Sequence, residues 1–154
     1  MTPAIKKAKQ AKISYSVHEY NHDPSAKSYG LEAAEKLKLD PKQVFKTLVT
    51  SAGKDLIVAV IPVDQSLDLK LLAKAIGSKK TAMADITQVE RVTGYVMGGI
   101  SPLGQKKLLP TIIEESALRF DTIYVSAGRR GLDIELSPSD LAKLTKGKLS
   151  HISR

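Results

Sequence analysis

The stretch Gly98-Gly99-Ile100-Ser101-Pro102-Leu103-Gly104-Gln105-Lys106-Lys107 packs three glycines and a proline into seven residues and then adds two lysines. Glycine lets backbone amides approach a ligand with no Cβ in the way, and proline stiffens the turn. A stiff loop with free N–H groups beside positive charge can cradle an anion or a polarised carbonyl oxygen. The same composition also suits an ordinary surface loop. Ser101 is a candidate nucleophile for a small-molecule hydrolase. However, Gly99-Ile100-Ser101-Pro102-Leu103 lacks the glycine that follows the serine in a nucleophile elbow, and no base is evident beside it.

Lys46 interrupts the apolar run Val44-Phe45-Lys46-Thr47-Leu48-Val49. A charge inside a strand faces water, guards a sheet edge, or reaches into a site where it neutralises phosphate or polarises a carbonyl. Asp133 and Glu135 alternate with Leu132, Ile134 and Leu136, which places two carboxylates on one strand face. That face is either solvated or able to accept from a substrate amine or hydroxyl. Ser126 lies just before Gly128-Arg129-Arg130-Gly131, whose arginines suit phosphate or a plain hairpin tip. Tyr20 shares the polar face of its strand with His18.

Composition narrows the classes. There are 154 residues, 42% hydrophobic and 26% charged, which suits one soluble globular domain spanning 1–154. No apolar run approaches the roughly 18 residues of a membrane helix. Met1-Thr2-Pro3-Ala4-Ile5-Lys6-Lys7 has no secretory apolar core, and a cytoplasmic protein is expected. Cysteine is absent, so disulfides and thiolate chemistry of the protein's own are excluded. His18 and His22 are four apart, but strand-like alternation before them and Pro24 after them speak against a metal site. No metal or cofactor is expected. A net charge of +8 favours a polyanionic partner, although no run of like charges marks a basic tail. Aromatic residues are only 5%, too few for a base-stacking platform.

Elements must position these groups. Thr2-Pro3 caps a helix over 3–11, and alternation predicts a strand over 13–20. A short helix is expected over 31–37 and another helical turn after Asp40-Pro41. Strands over 44–50 and 56–63 form a hairpin around Gly53. Asp68 and Gly77 bracket a helix. Residues 81–84 suit a short strand, Asp85 caps a helix to 92, and Tyr95–Met97 reads as a strand entering the glycine loop. Strands follow at 111–113, 122–126 and 132–136, and a capping box at Ser137-Pro138-Ser139-Asp140 starts a helix to 145. The mixture predicts an α+β (α/β) fold whose mixed, curved, barrel-like sheet is flanked by helices.

Taken together, Lys46-Thr47, the run from Gly98 to Lys107, and Tyr124-Val125-Ser126-Ala127-Gly128-Arg129-Arg130-Gly131-Leu132-Asp133-Ile134-Glu135-Leu136 closely resemble the YbaK family. These are free-standing relatives of the editing domain inserted in bacterial prolyl-tRNA synthetase, and the resemblance runs nearly end to end. It implies the barrel-like editing-domain fold and hydrolysis of the ester joining a wrong amino acid to tRNA(Pro), with cysteine the first candidate. It places substrate-binding positions at Tyr20, Tyr29, Thr47, Pro102, Ser126 and Asp133. It places catalytic positions at Lys46, Gly98, Gly99, Ile100 and Ser101. Lys106, Lys107, Arg129 and Arg130 become candidates for RNA contact. Tyr29 stands where the family has phenylalanine.

The resemblance also implies a mechanism. Cysteine and alanine are no larger than proline, and a synthetase pocket cannot strongly reject a smaller ligand, one methylene being worth about 1–3 kcal/mol. The substrate's own thiol would attack its carbonyl and expel the tRNA hydroxyl as a thiolactone forms. The alternatives are a water-based deacylase of Ala-tRNA(Pro) or another mischarged tRNA, and a non-catalytic RNA-binding module. Mischarged tRNA(Pro) and prolyl-tRNA synthetase are the expected partners.

Overall fold

Two β-sheets meet at one corner in the computed structural model, which describes residues 1–154. The order is α1 (Pro3–Ala11), β1 (Tyr15–Glu19), α2 (Tyr29–Lys36), β2 (Phe45–Ala52), β3 (Asp55–Pro62), α3 (Leu69–Ile76), β4 (Ala82–Met83), α4 (Ile86–Thr93), β5 (Thr111–Glu114), β6 (Ile123–Arg129), β7 (Leu132–Leu136), α5 (Pro138–Thr145) and β8 (Lys148–Ser150). The smaller sheet is antiparallel, ordered β1-β7-β6. The larger is β4-β2-β3-β5-β8, antiparallel through β3 and parallel beyond it. A single bridge, Val44 to Tyr124, joins them. The α+β class is as expected, but the barrel-like sheet is not: the sheets touch at the start of β2 and do not close.

Local chemistry explains the elements. Thr2 Oγ1 accepts from Ile5 N at 3.2 Å and Asp68 from Leu71 N at 3.0 Å, so both capping signals are used as caps. From Leu56 to Pro62 β3 is apolar and buried on both faces. Val58 and Val60 enter the main core with Phe45, Val125, Ile134 and Leu136. Ile57, Ala59 and Ile61 pack with Leu72 and Ile152 on the other side. A third cluster under α2 joins Ala33, Ala34, Val44, Val63 and Tyr124. The site lies at that corner, where the sheets part.

Several local expectations fail. Tyr95–Met97 is not a strand. Gly94 ends α4 at φ +82°, and the Tyr95 ring turns inward to donate from its hydroxyl to Leu103 O at 2.6 Å. Asp40-Pro41 starts only a turn, closed by Gln43 N to Asp40 O at 2.9 Å. Val17, on the face of β1 opposite His18, is 40% exposed. β8 and a 3-10 turn at Glu115–Arg119 were not legible.

Candidate active site

At the open corner lies a cavity of about 250 Å³. β2 supplies Lys46 and Thr47, β1's end supplies Tyr20, and the start of α2 supplies Tyr29. The smaller sheet supplies Ser126, Arg129 and Asp133, and the glycine loop supplies Gly98 and Ile100. Register explains the far wall. Ser126 and Asp133 are directly opposed on β6 and β7. Alternation along β7 sends Leu132, Ile134 and Leu136 into the main core and leaves Asp133 on the cavity side. Lys27, Ser28, Gly30, Ala33, Val44, Phe45, Leu48 and Met97 complete the lining. Sequence reasoning missed these because nothing local distinguishes them.

The charges in this cavity are unusual. Asp133 is 5% exposed, and burial alone pushes its carboxyl up to about 7. Burial lowers the Lys46 ammonium from its ordinary value, and Asp64 partly restores it. The Tyr20 hydroxyl is driven to about 12, first by burial and then by Asp133, so it stays protonated and can donate. Thr47 Oγ1 is buried at the wall without a partner. An ammonium and an uncompensated carboxyl thus line one small cavity, together with unused polar atoms.

The glycine loop is held from several sides. Gly99 N donates to Val96 O at 3.0 Å, Met97 N to Glu90 Oε2 at 2.7 Å, and Lys106 N to Thr93 O at 2.9 Å. Arg130 lies over the Tyr29 ring, 4.5 Å from its centroid, and donates from Nη2 to Met97 O at 2.7 Å. Gly98 sits beneath that clamp at φ +89°, where an added Cβ would lie 2.5 Å from Arg130 Nε. The N–H groups of Gly98 and Ile100, both lining residues, donate to no protein acceptor. These amides suit a carbonyl oxygen that gains charge.

Not every expected residue faces the cavity. Ser101 is 0% exposed, and its Oγ accepts from Leu103 N at 3.2 Å. The nucleophile reading of Ser101 is therefore corrected: its hydroxyl fixes a turn and cannot reach substrate. Gly99 and Pro102 are also absent from the lining. A Cβ on Gly99 would meet Arg129 Cα at 2.8 Å, so its smallness serves loop-to-hairpin packing. Lys106 and Lys107 are exposed outside the cavity. Arg129 lines the mouth, whereas the Arg130 guanidinium is engaged in the clamp.

A larger hollow, about 630 Å³, collects Glu114, Glu115 and His151. Glu114 Oε1 there already accepts from Ile152 N at 2.8 Å and from Ser153 N and Oγ, each at 2.9 Å. That carboxylate anchors the chain just after β8 rather than offering free ligand atoms. No helix is long and apolar enough to cross a membrane.

Residues 23–144 match the aminoacyl-tRNA editing domain family. The chain belongs to that family. As an aminoacyl-tRNA editing enzyme, it cleaves the ester that joins an amino acid to tRNA. The editing domain is similar to the Enterococcus faecalis protein named "Putative Cys-tRNA(Pro)/Cys-tRNA(Cys) deacylase EbsC", with 42% identity over 153 residues, 99% of this chain and 93% of that one. It is 28% identical over 99 residues to the Escherichia coli K12 Multifunctional Ser/Thr-tRNA deacylase ProXp-y, covering 64% of this chain and 59% of that protein. A solved structure of a "putative trans-editing enzyme for prolyl tRNA synthetase" superposes with TM-score 0.83, covering 100% of this chain and 99% of that one. At 21% identity that likeness establishes the fold alone.

Proposed function

We propose that this editing domain removes cysteine from mischarged tRNA(Pro) in the cytoplasm, with prolyl-tRNA synthetase delivering the tRNA. The observation that carries the reading is one small cavity bringing together Lys46, the free amides of Gly98 and Ile100, and Asp133, with no histidine among its lining residues. About 250 Å³ is small for a ligand cavity, below the usual range of roughly 300–1,000 Å³, and suits an aminoacyl end rather than a whole nucleotide.

In this reading Asp133 and Ser126 hold the α-ammonium. The Gly98 and Ile100 amides receive the carbonyl oxygen, and Thr47 and Tyr20 supply further polar contacts. The cysteine sulfur, ionised from a thiol of pKa about 8.5, attacks the carbonyl carbon. A C–S bond forms and the ester C–O bond breaks. The tRNA hydroxyl leaves with a proton from Lys46, which the thiol's proton replaces, and the amino acid departs as a thiolactone. Position and electrostatics supply the acceleration, because an aminoacyl ester is already activated.

A second reading has support from Asp133. A carboxyl near pH 7 can accept a proton from water, which would permit deacylation of Ala-tRNA(Pro) or a hydroxyl-bearing substrate. Rates on Cys-, Ser- and Ala-tRNA(Pro), with and without prolyl-tRNA synthetase, separate the two. The thiol reading expects cysteine to react at least tenfold faster than serine; equal rates would transfer the chemistry to water. Lys46→Ala is expected to slow deacylation by about 100-fold, the scale of one lost charge-stabilising group. Wild-type rates in that variant would remove Lys46 from the mechanism. A domain that binds RNA but turns over none of the panel would be a binding module.

A further inference from the structure

Positive charge that is dispersed along the sequence is gathered by the fold. Residues 1–18 and 91–113 together hold seven of the 24 basic residues and none of the 16 acidic ones, so nearly the whole net charge of +8 rests on these two segments. They are also in contact. Gly104 lies so close to the start of α1 that an added Cβ would stand 2.5 Å from Pro3 O. Gly128, just before the cavity-lining Arg129, packs against Thr2 in the same way, with Thr2 Cβ at 3.1 Å.

α1 buries Ala4 and Ala8 and leaves Lys6, Lys7 and Lys9 exposed, with Lys12 exposed at its end. Lys6 and Lys9 are one turn apart, on the side away from the alanines. Lys106 and Lys107 are exposed on the neighbouring segment. None of these lysines has an acidic partner, whereas Lys36, Lys42 and Arg129 elsewhere do. Six exposed ammonium groups without acidic partners, on two touching segments that carry no acid of their own, attract a polyanion strongly and without regard to sequence. The segment carrying Lys106 and Lys107 also carries Gly98 and Ile100 of the cavity wall. The cavity holds only the end of a substrate, so the rest of that substrate must cross neighbouring surface.

We propose that the outer face of α1, together with Lys106 and Lys107, is the docking surface for an RNA duplex, the stem of the tRNA whose charged 3′ end enters the cavity. This rests on the editing reading but is tested apart from it. The lysines would meet backbone phosphates, giving affinity and register but no base readout.

The test compares wild type with K6E/K9E and with K106E/K107E. Binding to uncharged tRNA(Pro), to a stem minihelix with an unpaired 3′ end, and to single-stranded RNA of equal length is measured by anisotropy from 50 to 300 mM KCl. Each duplex phosphate contact contributes roughly 0.9 to the slope of log K against log salt. Each double variant is therefore expected to reduce the slope by about 2 and to weaken tRNA and minihelix binding at least tenfold at 100 mM salt. Hydrolysis of cysteine ethyl ester by K6E/K9E should match wild type, which reports an intact cavity. Unchanged RNA affinity and slope in K6E/K9E overturn the proposal. So does equal weakening on single-stranded RNA and duplex, or loss of binding to prolyl-tRNA synthetase with RNA affinity retained. If wild type binds the minihelix through these lysines yet deacylates no tRNA, the editing reading fails and the docking surface stands.

Discussion

Replacing Asp133 with asparagine should make this protein more stable and less active, and the gain should depend on pH. The unfolded chain ionises this carboxyl near its ordinary 3.8, whereas the folded protein holds the proton until about pH 7. Between those values the folded state binds a proton that the unfolded state has released, so stability falls as pH rises through this window. A gap of roughly three units, at about 1.4 kcal/mol each, amounts to about 4 kcal/mol above pH 7. Asparagine cannot ionise and escapes that cost, while its own unmet hydrogen bonds are the same at every pH and move the whole curve together. Urea unfolding of both proteins from pH 4 to pH 8 isolates the term. The variant-minus-wild-type difference should rise by about 4 kcal/mol across that range and level off above pH 7. A difference that stays flat would mean that Asp133 is solvated or paired, and the argument from burial would be wrong. Activity should move oppositely. Losing a charged hydrogen bond worth about 1.5–3 kcal/mol lowers kcat/KM roughly ten- to a hundredfold.

Other substitutions probe separate parts of the site. Gly98→Ala forces a side chain into φ +89° and against the Arg130 clamp. It should cost about 1–2 kcal/mol in backbone strain alone, visible by denaturation, with a slower single-turnover deacylation rate. Ser101→Ala should keep deacylation within about twofold of wild type while losing about 1 kcal/mol of stability, since its hydroxyl bonds Leu103 N and lies beside Tyr95 away from the cavity lining. Glu114→Gln should destabilise by about 1–3 kcal/mol at pH 7, because Oε1 serves four donors. Burial pushes its carboxyl up, but hydrogen bonds from Ile152 N, Ser153 and Ser116 N outweigh that and hold it below the ordinary 4.5. The stabilisation is therefore present above pH 4.5 and is lost as pH falls through the folded value, which a urea series at low pH would show.

What could be read in advance was what is local. Thr2-Pro3, Asp68 with Gly77, and Ser137-Pro138 are helix boundaries whose chemistry lies within four residues, and each caps as expected. The alternation from Leu132 to Leu136 placed Asp133 off the core face. It could not say whether that face met water; the packing of α2 and β2 across it leaves Asp133 almost fully covered. Ser101 shows the opposite limit. Its surroundings in sequence look like an exposed loop, and only the inward turn of Tyr95 and Leu103 buries it. β8 is three residues long and exists by parallel pairing with β5, a partner 36 positions earlier in register. No periodicity within Lys148–Ser150 could reveal that. The barrel failed for a related reason: strand order depends on pairings between distant segments.

Asp133 can serve as an anchor for an ammonium or as a base for water, and these uses exclude one another. An α-ammonium placed against the buried carboxyl favours its ionised form and lowers its pKa, which makes it a weaker base. It is also no longer free to take a second proton. The remaining ionisable groups of the cavity then decide the chemistry. Lys46 is positive, though less firmly than a solvated lysine, so it donates to the leaving oxygen and does not abstract. The Tyr20 hydroxyl, at about 12, also donates. With Asp133 occupied, no group on the wall accepts a proton from an alcohol or from water near neutral pH. The attacking group must then ionise unaided. Of the cysteine, serine and alanine side chains, only the cysteine thiol does so at an appreciable level, with a pKa about 8.5. A carboxylate used to hold the substrate thus selects for the substrate that carries its own nucleophile.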